Sequence, residues 1–94
     1  MEAKMDKLAL KEAIKEIVND VKDAKYFDAH YVIERLFCKY NELYVENLIL
    51  TNSTIEYYHS ELAKLIGELG YKNIGNSFSK NLKGNYNACS CWEK

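Results

Sequence analysis

The chain has 94 residues, enough for one domain spanning 1–94 and too few for two. Hydrophobic residues make up 48% and charged residues 29%, the values of a globular chain and not of a disordered tail. Its longest strongly apolar runs are short pieces such as Leu48-Ile49-Leu50, which excludes a bilayer-spanning helix of roughly 20 residues.

The net charge of −1 conceals a division. Residues 1–63 carry 8 basic and 12 acidic side chains, whereas residues 64–94 carry 5 lysines and 2 acids. Any affinity for phosphate therefore belongs to the C-terminal third, with Lys64, Lys72, Lys80 and Lys83. The start, Met-Glu-Ala-Lys-Met-Asp, lacks the apolar block of a signal peptide, and the cysteines number 3. Together these lead us to expect a reducing, cytoplasmic compartment with free thiols.

Leu10, Ile14, Ile17, Val18 and Val21 form one stripe of a helix, with charged residues between them, predicting a first helix over 6–24. Asp28 is a good N-cap for a second helix over 29–39, with Phe27 and Val32 placed as a hydrophobic staple. Leu43, Tyr44, Val45, Leu48 and Ile49 suggest a third over 41–50. Thr51-Asn52-Ser53-Thr54 breaks the pattern, and Ser53 with Glu56 reads as a capping box. A fourth helix over 54–69 follows, striped by Ile55, Tyr58, Leu62, Leu65, Ile66 and Leu69 and ended by Gly70.

Beyond Gly70 the chain turns polar and rich in asparagine and serine. Two alternating runs flank Lys83-Gly84-Asn85 and predict a two-stranded β-hairpin over 77–92, anchored by Trp92. The expected class is α+β: four helices and a C-terminal hairpin, in winged-helix-like order. On that reading helix 4 is the recognition helix and the hairpin the wing.

Cys89 and Cys91, with Cys38 and His59 (or His30), offer four donors of the types zinc accepts. Cys-x-Cys without a second pair is a weak zinc signature, and small buried hydrophobes are the simpler reading, so neither a metal nor a cofactor is expected. No nucleophile elbow, phosphate-cradling glycine loop, HExxH motif or paired-carboxylate pattern is present, which points away from an enzyme. His59 reads as a boundary residue and His30 as a first-turn residue of helix 2.

Tyrosine is more informative, with 8 copies. Tyr57 lies off the helix 4 stripe, and Tyr57 and Tyr44 are candidate contact residues, since tyrosine supplies large contact area at low entropic cost. Arg35 is the only arginine, which argues against base-specific DNA reading. Lys64, Lys72, Lys80, Lys83 and Asn85 complete the expected partner-binding set.

His59-Ser60-Glu61-Leu62, Ser79-Lys80-Asn81-Leu82-Lys83-Gly84-Asn85 and Cys89-Ser90-Cys91-Trp92-Glu93-Lys94 together resemble the ends of small, uncharacterised bacterial and prophage-type proteins. In these a helix precedes a Ser-x-Asn-x-x-Gly-Asn hairpin and a terminal Trp-x-Lys. Phe27-Asp28-Ala29-His30 fits the same group. The resemblance implies a bacterial or phage accessory protein and transfers no active site.

The leading expectation is a non-catalytic protein-binding inhibitor or regulator, for instance of a host defence protein. The alternative is a winged-helix nucleic-acid binder using helix 4 and the hairpin; a metal or thiol enzyme ranks third. No membrane partner is expected. The working site is expected where helix 4 meets the hairpin.

Overall fold

The computed structural model describes residues 5–94. Residues 1–4, part of the charged start, lie outside them. Four helices and a three-stranded antiparallel sheet follow in the order α1 (Lys7–Asn19), β1 (Tyr26–Asp28), α2 (Ala29–Lys39), α3 (Asn41–Thr51), α4 (Ile55–Gly67), β2 (Lys72–Lys80) and β3 (Tyr86–Glu93). Among the described residues no helix is long and apolar enough to cross a membrane.

The stripes meet in one core. Leu10, Ile14, Ile17 and Val18 of α1 pack with Val32, Ile33 and Leu36 of α2 and with Tyr58, Leu62, Leu65 and Ile66 of α4. Phe27 and Trp92 close it from the sheet side, their rings stacked with centroids 5.7 Å apart. Helix α3 adds Tyr44 and the only buried polar residue described, Asn47. Both ends of the Asn47 amide are satisfied: Oδ1 accepts from the Asp6 N–H at 2.6 Å, and Nδ2 donates to the Leu43 carbonyl at 2.8 Å. That pair ties the start of α1 to α3, and it removes the cost of burying an unpartnered amide.

Helix 1 ends at Asn19, well short of the expected residue 24. Its last turn has no basic residue, and Asp20 at the C-cap opposes the helix dipole. Lys39 of α2 meets Asp20 at 2.6 Å, and the freed residues carry the chain to β1. Helix α4 also stops early, at Gly67, with Glu68 at the C-cap facing Lys11 of α1 at 2.8 Å. Gly70 keeps the positive φ of 90° that made it look like the cap. At the other end the N-cap is Thr54, which accepts from the Tyr57 N–H, and not the Ser53 of the expected capping box. Asp28 caps α2, accepting from the Tyr31 N–H at 2.9 Å.

The sheet has three strands where two were expected, in the order β1-β3-β2. The added strand is β1, which sets Phe27 opposite Trp92 and Asp28 opposite Cys91. Three residues are too few to show an alternating pattern, and their partner lies at the far end of the chain. Strand β2 begins at Lys72, earlier than expected, because a β-bulge at Ile74 breaks the alternation. Gly75 takes φ 112° there, and its N–H donates to Asn73 Oδ1 at 3.0 Å. The hairpin turn is organised by Asn81, whose Oδ1 accepts from the N–H groups of both Lys83 and Asn85, while Gly84 supplies φ 93°.

Candidate functional site at the helix and hairpin junction

An open cleft of about 340 Å³ lies between α2, α4 and the hairpin, lined among others by His30, His59, Ser60, Asn81, Cys89 and Ser90. The hairpin is docked onto it by short polar side chains. The Ser77 hydroxyl donates to Asp28 Oδ2 at 2.6 Å, so one carboxylate caps α2 and holds β2. Burial pushes the Asp28 carboxyl up, but the hydrogen bonds from Ser77 and the Tyr31 N–H outweigh it and leave it below its ordinary value. His30 Nδ1 lies 2.9 Å from Ser79 Oγ, which in turn lies 3.9 Å from Cys89 Sγ. The serines of the hairpin are thus its attachment points.

On the α4 side, His59 Nε2 lies 2.7 Å from the Tyr44 hydroxyl, and the Tyr58 hydroxyl donates to the Tyr44 carbonyl at 2.8 Å. Burial lowers the pKa of His59, and burial raises that of Tyr44. His59 is neutral and held, with one ring nitrogen already engaged. Tyr44 is a correction to the expected contact set: only 2% exposed, it fills the space between α3 and α4 and offers no contact surface. Cys38, Cys89, Cys91 and His59, the weak zinc alternative, are not gathered: among the described residues no three His, Cys, Asp or Glu side chains converge on a metal position. Cys38 is exposed on α2, Cys89 and Cys91 are half-buried on β3, and all three are free thiols. Burial pushes the Cys91 thiol up, away from a reactive thiolate.

Lys83 reaches the first turn of α4, where Tyr57 also lies, while Asn85 stays in the hairpin turn with its N–H donating to Asn81 Oδ1. Tyr57 is 50% exposed, and Lys83 of the hairpin loop pairs with its neighbour Glu56. Lys80 stands opposite Tyr86 near the same end of the hairpin. Lys64 is farther along α4, 3.5 Å from Glu61, and Lys72 is at the opposite end of β2. The two salt bridges change the electrostatics that the sequence suggested. Lys83 and Lys64 are matched by Glu56 and Glu61, so their positive charge is locally neutralised along α4.

The largest exposed apolar groups on the hairpin were missed by the sequence reading. Phe78 and Tyr86 are 72% and 64% exposed, their rings near-parallel with centroids 6.0 Å apart, and Ile74 is exposed beside the bulge. Phe78 sits opposite Ala88 and Lys80 opposite Tyr86, so these four share one face of the ribbon while Ser77, Ser79, Asn87 and Cys89 occupy the other. The alternation that predicted the hairpin already placed Phe78 in line with Lys80, and pairing across the turn would have brought Tyr86 beside it. A second exposed apolar site is on α3, where Val45 and Ile49 lie between Glu42 and Glu46. Compared with protein-family models, curated proteins and solved structures, the chain matches none.

Proposed function

We propose that this protein is a non-enzymatic protein-binding module, a small inhibitor or regulator of bacterial or phage origin, that grips its partner with the outer face of the hairpin and the adjoining first turn of α4. The observation that carries the reading is the Phe78–Tyr86 pair, two large rings stacked on each other and held mainly in solvent. Aromatic anchors dominate binding energy when a partner desolvates them, and an exposed aromatic ribbon left uncovered is an aggregation hazard. Lys80, opposite Tyr86, and Asn85, next to it in the chain, border the pair, and Lys83 bonded to Glu56 keeps the hairpin end against α4, whose first turn carries the exposed Tyr57. The absence of an enzyme motif in the sequence and the engagement of His30 and His59 in docking contacts favour binding over catalysis. The bacterial or phage origin rests on the resemblance of the hairpin and C-terminal motifs.

Affinity capture from bacterial lysate with mass spectrometry, with and without nuclease, tests this. A stoichiometric protein retained after nuclease and lost with Phe78→Ser/Tyr86→Ser is the expected result. Capture that nuclease abolishes contradicts it.

One observation favours the second reading, a winged-helix nucleic-acid binder. Strand β1 lies between α1 and α2 and pairs with β3, the strand arrangement of winged-helix domains. The pairing of Lys64 and Lys83 with Glu61 and Glu56 and the single arginine, on α2, weigh against it. This reading requires DNA or RNA binding that weakens steeply with salt.

A further inference from the structure

Among the described residues, the sheet order leaves β2 with one edge paired to β3 and the other edge unpaired along Lys72–Lys80. Such an edge is a row of backbone donors and acceptors able to template another strand. Resting on the protein-binding reading, we propose that this edge takes up an extended segment of the partner as an added antiparallel strand, one with an acidic residue two positions before an aliphatic or aromatic one.

The chemistry of the edge selects that occupant. Cross-strand neighbours are matched in pairs, with opposite charges and apolar groups favourable and like charges unfavourable. Lys80 and Phe78 share a face, so an antiparallel guest meets them in sequence with an acid and then an apolar residue. The guest's apolar residue extends the Phe78–Tyr86 stack. A second copy of the chain fits worse. Pairing β2 with itself over its full length sets Lys72 against Lys80 of the other copy at both ends, and like charges directly opposite destabilise a ladder. The bulge at Ile74 confines regular pairing to the Asn76–Lys80 stretch, and there a second copy would set each Lys80 opposite Asn76, with no acid to match it. The two serines of that stretch point away from the aromatic face and are held by Asp28 and His30, so the edge is fixed in place before a guest arrives.

The probe is the short peptide Ser-Glu-Thr-Ile-Thr-Val-Thr-Ser, titrated into the full chain labelled for amide NMR. Shifts along residues 76–80 are expected, with binding weakened about fivefold by Lys80→Glu and restored when the peptide's Glu is replaced by Lys. Two N-methylated forms separate strand pairing from side-chain attraction, because only alternate amides face the host strand. Methylation at Glu, Ile and Val and methylation at the threonines must differ by about tenfold or more, one set binding like the parent. Equal binding by both sets overturns the proposal, as do shifts confined to α3 or α4. It is also overturned if the chain self-associates in sedimentation and ignores the peptide, or if it binds oligothymidylate and no peptide. Should these probes fail while a protein is still captured through Phe78 and Tyr86, the edge proposal falls and the protein-binding reading stands. Peptide pairing with no protein captured from the lysate contradicts only the broader reading.

Discussion

The helical part and the hairpin handle their side chains in opposite ways. In α1, α2 and α4 the apolar stripes face inward, and the charges at awkward helix ends are matched by another helix, Asp20 by Lys39 and Glu68 by Lys11. The hairpin buries one large side chain, Trp92, and holds itself down with serines, while Phe78 and Tyr86 stay in solvent. The helical part leaves single apolar residues such as Leu8 and Ile49 outside, whereas the hairpin leaves two stacked rings there, the surface that the proposed partner would cover.

The contrast predicts where substitutions hurt. Trp92→Ala removes the one deep anchor of the hairpin and should cost about 3–5 kcal/mol, read by denaturant unfolding. A loss of less than about 1 kcal/mol would mean that the hairpin does not share the helical core. Asp28→Ala should cost about 1–2 kcal/mol, since it removes the α2 cap together with the Ser77 bond. The depressed Asp28 pKa has a matching signature: its contribution is full above the ordinary 3.8 and is lost as pH falls through the folded-state value. His59 acts in the same direction at higher pH. Burial holds its folded pKa below 6.5, so the unfolded chain takes up the proton first, and stability declines as pH falls below 6.5 toward the folded value. His59→Gln should flatten that part of a pH–stability curve. Gly84→Ala should cost about 1 kcal/mol, because φ 93° strains any residue with a Cβ. The smallest effect is expected for Phe78→Ser/Tyr86→Ser, within about 0.5 kcal/mol of the parent, since nothing in the core depends on either ring.

Helices α1, α2 and α4 were readable because each carries its own periodic stripe, α3 only from a cluster of apolar residues before the break at Thr51–Thr54, and Asp28 announces itself as a cap. What stayed hidden depended on distant partners. Strand β1 is too short to show a period and exists through its pairing with β3. Tyr44 and Tyr57 look alike in sequence, yet one lies 2% and the other 50% exposed, because only Tyr44 is enclosed where α3 packs on α4. The positive charge of the C-terminal third was plain from composition. Its partial cancellation by Glu56 and Glu61 was not, because the Glu56 pairing needs the hairpin folded back onto α4. The proposed binding surface therefore differs from the one expected where helix 4 meets the hairpin: the buried Tyr44 leaves it, and the exposed Phe78 and Tyr86 join.

The exposed rings of the hairpin are proposed to serve a protein partner and not the fold, and one paired experiment separates the two roles. The partner-binding role is tested most directly by running Phe78→Ser/Tyr86→Ser and Ile49→Ser side by side in affinity capture and thermal unfolding. Parent-like unfolding is expected for both variants, with partner capture lost only for the hairpin pair. Capture unchanged by the hairpin pair, or lost with Ile49→Ser instead, would contradict that role and move the binding surface to α3.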